Sequence, residues 1–272
     1  MSRLVDRFVS VTVDDVVITG LRVVLKVEKS SKPEPNTLDV TIYNLAEATR
    51  KKIQTEGAAV EVVAGYAEES GLIFRGQATL ANHSRNDADW ITRLQSGDGV
   101  KAQRQGRIVE SFRPNTSMID VAKRLADRSG LDAGNFYSEI ERGNLRGAAQ
   151  RFGKGYAVSG LTFAELVRVT TSMGYELSVQ EGSLQLVALD ETFGNDVIVL
   201  RDTTGLVGSP EVGEKGIVKA RALMQHKLAP ARRALLQSLA LEGHYRIEKV
   251  TFNGDTHGQD WYADLEMRTV KT

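Results

Sequence analysis

Short runs of alternating apolar and polar residues open the chain. "VSVTVDDVVITGLRVVLKVEKS" is rich in Val, Thr and Ile and is interrupted by Asp14, Asp15 and Gly20, which predicts consecutive strands. After the loop "SSKPEPN", where Pro33 and Pro35 rule out a regular helix, "TLDVTIY" sets Leu38, Val40 and Ile42 on one face and Thr37, Asp39 and Thr41 on the other. A period of two of this kind predicts a half-buried strand. Asn44 precedes Glu47 by three residues, the spacing of an N-cap, so "LAEATRKKIQTEG" reads as a short helix running to Gly57. "AAVEVVAGY", "GLIFRGQATLANHS" and "DWITRLQSGDG" return to strand character between glycines. Residues 1–109 are therefore expected to form one β-rich domain, a barrel with one short helix.

The period then changes. "TSMIDVAKRLADRSG" spaces Met118, Val121, Ala122 and Leu125 at helical intervals, opens with Ser117 and Asp120 in capping spacing, and stops at Gly130. "LTFAELVRVTTSMG" repeats the design: Thr162 with Glu165 has capping-box spacing, Leu161 and Leu166 that of a hydrophobic staple, and Gly174 follows the end. In "YELSVQEGSLQLVAL" a two-residue turn at Glu181-Gly182 would pair Val179 with Leu184 and Leu177 with Leu186 on one face. The polar, glycine-rich "NFYSEIERGNLRGAAQRFGKGYAVSG" reads as a long, partly mobile connection. Residues 110–197 are thus expected to be an inserted α/β module. From Ile198 the β-signal returns in "VIVL", "TGLVGSPEVGEKGIVKARALM", "ALLQSLALEGHYRIEKVTF" and "DWYADLEMRTV", giving a second barrel over 198–272.

Length and charge narrow what such a chain does. At 272 residues it is long enough for two compact domains, and its 35 basic and 35 acidic side chains leave no overall field to hold nucleic acid by counterion release. Without cysteine there are no disulfides, thiolate nucleophiles, zinc clusters or iron–sulfur centres. "MSRLVDRFVSVTVDD" has neither the apolar core of a signal peptide nor the unbroken span of a membrane helix, so a soluble, non-secreted protein is expected.

Candidate chemistry is sparse. His83, His226, His244 and His257 are scattered, with no pair at metal-ligand spacing. "GKGYAVSG" has glycines at the wrong intervals for a dinucleotide fingerprint, "GSPEVGEKG" lacks the Gly-Lys-Ser/Thr of a phosphate loop, and no Gly-x-Ser-x-Gly elbow occurs. The "RKK" at 50–52 reads as a solvated helix face, and Trp90 and Trp261 as core or interface anchors. "GDTHGQDWYADLEM" carries two readings: a site in which His257 and its acidic neighbours hold a metal or relay a proton, and a turn in which Gly254, Asn253, Asp255 and Gly258 supply the backbone.

Three stretches resemble the tail baseplate hub proteins of bacteriophages, the family that joins the tail tube to the central spike. They are "KPEPNTLDVTIYNLAEATRKKI", with Asn44 and Leu45; "TGLVGSPEVGEKGIVKARALM", with Gly208 and Pro210; and "GHYRIEKVTFNGDTHGQDWYADLEM", with Gly254, Asp255, Gly258 and Trp261. One departure lies at Pro230-Ala231, where the family usually has Pro-Gly, and it leaves the turn conformation open. The resemblance implies a mostly β fold of two β-barrel domains of the hub and tube type, assembled as a homotrimer whose six barrels ring the genome-delivery channel. It implies a virion protein made in the host bacterial cytoplasm, with no cofactor and no catalytic or metal-binding residue. The tail tube or distal tail protein and the central spike or fibre protein would be its partners, the tape measure protein a further one, and viral DNA would only pass through, without stable membrane insertion. Gly254 to Asp260 would then be the loop of a closing hairpin. Two other function classes stand beside this: a tail-associated cell-wall hydrolase, for which no acid/base constellation is found, and a nucleic-acid-binding module, opposed by the charge balance.

Overall fold

The computed structural model of the chain describes residues 6–53, 56–142 and 150–270. The first β-rich stretch contains β1 (Arg7–Val13), β2 (Val16–Ile18), β3 (Val23–Ser30), β4 (Thr37–Tyr43), α1 (Glu47–Lys52), β5 (Ala59–Tyr66), β6 (Glu69–Asn86) and β7 (Asp89–Gly97). Then come α2 (Val100–Gln105), β8 (Arg107–Phe112), β9 (Thr116–Ser117), α3 (Met118–Arg128), α4 (Phe136–Glu141), β10 (Arg151–Phe152), β11 (Tyr156–Leu161), α5 (Thr162–Ser172), β12 (Tyr175–Gln180) and β13 (Ser183–Ala188). The last stretch holds β14 (Val197–Leu200), β15 (Leu206–Val212), β16 (Val218–Leu223), β17 (Arg233–Gln237), β18 (Glu242–Asp255) and β19 (Trp261–Thr269). The chain divides into two compact units, one of residues 1–30, 36–98 and 192–272, the other of 31–35 and 99–191.

In the first unit the alternation does what the sequence promises. Val9, Val11 and Val13 of β1, Val23, Leu25 and Val27 of β3, and Leu38, Val40 and Ile42 of β4 all face one core, together with Ala263, Leu265 and Met267 of β19. The expected pair of closed barrels is not what forms. All strands of this unit join one 13-stranded sheet in the order β15-β16-β19-β18-β3-β4-β7-β6-β5-β1-β2, with β17 on β18 and β14 on β17. The physical reason lies in β18. Its start pairs with β17 (Arg246 opposite Arg233) and its end with β3 (Gly254 opposite Leu25), so one long strand splices the two β-regions into a common ladder. A shift in register between Ile247 and Lys249 lets it turn from one neighbour to the next.

The second unit has its own core. Ser117 caps α3, accepting a hydrogen bond from the Asp120 amide at 3.0 Å, and Gly130 follows the helix at φ +73°. The β12–β13 hairpin pairs Val179 with Leu184 and Leu177 with Leu186 around Glu181 (φ +57°) and Gly182 (φ +84°), both left-handed as a tight two-residue turn requires. Leu166 and Val169 of α5 and Val121 and Leu125 of α3 fill the same core. Three local expectations differ. Thr162 does not cap α5: Leu161 occupies the N-cap position, the Thr162 hydroxyl is buried, and Glu165 instead receives Arg168 and the Tyr156 hydroxyl. The segment read as a long connection contains α4, whose Phe136 and Ile140 are buried, as well as β10 and part of β11; its residues 143–149 lie outside the described residues. Nor does Asn44 cap α1, as set out below.

Candidate functional site

The surfaces of the sheet unit are what the fold offers. The closing hairpin is the most heavily tied. Asp255, the last residue of β18, accepts the His257 amide on Oδ1 at 2.9 Å and forms an ion pair with Arg22 through Oδ2 at 2.9 Å. Arg7 donates to the carbonyls of Asp255 and Gly258 at 2.6 Å each, while Thr256 exchanges hydrogen bonds with Val23, amide to carbonyl and amide to hydroxyl, both at 3.0 Å. Burial alone would raise the Asp255 carboxyl, but hydrogen bonds from Arg22 and from the amides of His257 and Gly258 outweigh it and hold the group below the usual carboxylate range. These are the bonds of a fixed loop. The His257 side chain is exposed and bonds its neighbour, Nδ1 to the Thr256 hydroxyl at 3.0 Å, and no group of three or more His, Asp or Glu among the described residues is arranged to hold a metal ion.

The glycines of the loop act differently from the turn reading. Gly254 is not in the loop but in β18, paired with Leu25 and Trp261, and its φ is not left-handed. It is small because a Cβ there would stand 3.0 Å from the Trp261 ring and 3.2 Å from both Leu25 and Met224. Gly258 is small because a Cβ would stand 2.5 Å from Asp255 Oδ2. Trp261 is buried, and its indole donates to the Gly65 carbonyl at 3.1 Å, tying β19 to the end of β5.

Asn44 ends β4 with φ +56° rather than capping the helix, whose N-cap position is Ala46. Its side chain reaches the turn end of the β6–β7 hairpin, donating to Asp89 at 2.9 Å and accepting the Trp90 amide at 3.0 Å; Leu45 beside it is buried. Gly208 (φ +70°) sits in a bulge of β15 that also contains the buried Pro210, where the register slips between Val207 and Glu211. The other three histidines are packing residues: His83 bridges Thr92 Oγ1 and the Arg50 carbonyl, the His226 ring fills the space where Gly71 would carry a side chain, and His244 lies in β18 opposite Leu235. Burial pushes both His83 and His226 toward the neutral form.

On the face of the sheet away from the core, charges pair across strands. Arg221 bonds Asp264 at 2.7 Å, Arg93 and Gln95 meet Asp39, and Glu28 takes Lys26 at 2.6 Å and Lys249 at 3.5 Å. The Arg93 hydrogen bond holds Asp39 below its ordinary range, and that from Lys26 does the same for Glu28. Two shallow grooves of about 460 and 370 Å³ run over this face. It is a solvated surface on which Arg221, Arg93, Lys26 and Lys249 are each paired with a carboxylate. A third, open groove of about 750 Å³ lies between the start of β15 and the turn joining β17 to β18.

The family model for baseplate hub gp41 matches residues 7–267. The chain belongs to that family. By family it is a structural baseplate hub protein, a component of a virion tail. Among solved structures it is similar to the 43 kDa tail protein of prophage MuSo2 from Shewanella oneidensis, at 10% identity and TM-score 0.67, over 97% of this chain and 98% of that one. A tail protein from Neisseria meningitidis MC58 aligns at 9% identity and TM-score 0.65, over 97% and 96%. The E. coli c3393 protein, described as a type VI secretion component resembling the T4 tail proteins gp27 and gp5, aligns at 10% and TM-score 0.60, over 96% and 75%. At these identities the likeness is one of fold. No curated protein matches the sequence. Among the described residues no helix is long and apolar enough to cross a membrane.

Proposed function

We propose that this hub is a homotrimer that joins the sixfold tail tube to the threefold central spike or fibre and forms part of the genome-delivery channel. The observation that carries the reading is the splice at β18: it fuses two β-regions into one sheet, so each subunit offers two sheet segments around a ring and three subunits offer six. Matching a sixfold tube to a threefold spike requires that kind of doubling. In this reading the paired charges of the polar face suit a channel wall, because cations already bound to carboxylates give passing DNA little to hold. Residues 110–197 are an inserted module that the ring does not require. The tail tube or distal tail protein would meet one rim, the spike or fibre protein the other, and the tape measure protein the lumen. Light scattering coupled to size exclusion at tens of micromolar tests the assembly, with a trimer mass expected; negative-stain images should show a ring with an open centre. A strictly monomeric mass at that concentration would overturn the reading.

A further inference from the structure

Two histidines of the sheet unit are kept neutral by burial, and they differ in what a proton would do to each. His83 lies near the turn end of β6 with both ring nitrogens engaged. The Arg50 carbonyl, 3.1 Å from Nε2, can only accept, so Nε2 carries the hydrogen and Nδ1 receives the Thr92 hydroxyl at 3.0 Å. Protonation there asks one hydroxyl to turn round: the new Nδ1–H donates to Thr92 Oγ1, and the bond persists in the opposite sense.

His226 has no such reserve. It stands in the loop between β16 and β17, where Met224 and Leu228 are fully buried and Gln225 donates to the Thr204 carbonyl at 2.8 Å. Its ring rests on Gly71 near the start of β6, so close that a Cβ at Gly71 would lie 2.4 Å from Cδ2 and 2.5 Å from Cγ. Nδ1 is buried and has no hydrogen-bond partner among the described residues. The charged groups that act on the ring are Lys227 of its own loop, which opposes protonation, and Glu69 of β6, which favours it. These two form an ion pair with each other at 2.6 Å, so the carboxylate that would receive an imidazolium is already taken. His244 also has a buried Nδ1 without a partner, but it lies inside the ladder, opposite Leu235 of β17 and with its carbonyl accepting the Val270 amide, and it joins no separate parts.

We propose that the β16–β17 loop is an acid-released latch: the neutral His226 ring and the Lys227–Glu69 pair hold it on the start of β6, and protonation of Nδ1 frees it and uncovers Met224 and Leu228. A proton on Nδ1 makes a buried cationic donor with no acceptor, a cost that the loop escapes by swinging the ring into water. Release leaves the sheet in place, since β16 and β17 are each paired on two sides. Because burial sets the folded pKa of His226 below the ordinary value of about 6.5, the stability contributed by the closed latch is complete above that value and is lost as pH falls from there through the folded value.

Hydrogen exchange followed by mass spectrometry tests the latch on the full chain at about pH 7.5 and about pH 5.5, with rates corrected for the intrinsic pH dependence of exchange. Peptides covering 224–229 should lose protection several-fold in acid, by no more than about tenfold per pH unit, while those of β3 and β4 change little. His226→Gln, which keeps a planar polar side chain but gains no proton, should abolish that drop; His83→Gln should leave it in place. Should the His226→Gln variant not fold, the wild-type imidazole is titrated by NMR: a midpoint below about 6.5 that coincides with the loss of protection supports the latch, and a midpoint at or above that value overturns it. A drop that survives in His226→Gln, one spread evenly over the whole chain, or no drop at all overturns it too.

Discussion

The hub contains two long antiparallel hairpins that differ in what surrounds them. In the closing hairpin, β18 is flanked by β3 and β17, β19 is flanked by β16, and the loop is held by Arg7 and Arg22 from the N-terminal strands. In the β6–β7 hairpin, β7 is flanked by β4 from Ile91 onward and the turn end is bonded to Asn44, but the outer edge of β6 meets no described strand beyond Ala78. Each carries a tryptophan: Trp261 lies in the core with its indole on a backbone carbonyl, and Trp90 lies at the surface under the Arg50 guanidinium, 3.9 Å from the ring centre. A hairpin bonded on every side closes a sheet. The β6–β7 hairpin lacks a strand along that outer edge and is held instead at its turn end by Asn44 and by Arg50 of α1.

The largest effect should separate the two tryptophans. Trp261→Ala removes a buried ring and orphans the Gly65 carbonyl, so a loss of about 3–5 kcal/mol in denaturant unfolding is expected. Trp90→Ala forfeits partial burial and a surface cation–π contact, about 1 kcal/mol or less. Equal costs would break the distinction between a hairpin closed on every side and one open along an edge.

Next comes Gly254→Val. Because Trp261, Leu25 and Met224 already crowd the missing Cβ, the added side chain overpacks the core and should cost about 1–3 kcal/mol without any strain in φ. The same change at Gly208, where φ is +70° and nothing stands within 4 Å, tests backbone strain alone. A variant at 254 as stable as wild type would mean that the end of β18 yields easily, contrary to its bonding.

These positions also indicate how far the sequence could be read. The β12–β13 register and the Ser117 cap were legible because their partners are a few residues apart, so alternation and capping spacing fix them. The β18–β3 pairing joins residues more than two hundred positions apart, and nothing local announces it; the same holds for Arg7 reaching Gly258. The parallel pairing of β14 with β17 and the short helix α2 left no distinct pattern. Asn44 and Thr162 show a different failure. Their spacing satisfied a capping rule, but Asn44 was drawn to the turn end of the β6–β7 hairpin and Thr162 into the core, so tertiary contacts overrode the local preference. Gly254 read as a turn because glycine beside aspartate usually is one, whereas the ring of Trp261 is what demands it.

Asp255 sharpens the comparison through pH. Its folded pKa is depressed, so its contribution is complete above the ordinary value of about 3.9 and is lost as pH falls from there through the folded value. Asp255→Ala should therefore cost about 1–2 kcal/mol at neutral pH, and the gap from wild type should close in acid. His257→Ala, on the same loop but with a side chain that bonds its neighbour Thr256, should stay within about 0.5 kcal/mol. A gap that persists unchanged into strong acid would show that the loop is not held by the carboxylate.

The smallest effect concerns what covers the far edge of β18. Pro230-Ala231 stands where the resemblance expects Pro-Gly, and the turn keeps the conformation glycine would take: Ala231 has φ +64°, is buried, donates to Ile247 at 2.7 Å and accepts from Phe193 at 2.7 Å. Those bonds hold an alanine in a region costing roughly 1–2 kcal/mol for a residue with a Cβ. Ala231→Gly relieves that strain but adds freedom to the unfolded chain, worth about 0.4–1 kcal/mol in the opposite sense, and gives up the buried methyl. The two sides nearly cancel, with a net change of about 0.5 kcal/mol or less. Ala231→Val keeps the strain and adds bulk at a fully buried position, so it should destabilise by about 1–3 kcal/mol. The order of the pair carries the test in urea unfolding. Should valine be tolerated as well as glycine, the turn does not hold β18 rigidly, and the closing hairpin would be open on that side as the outer edge of β6 is.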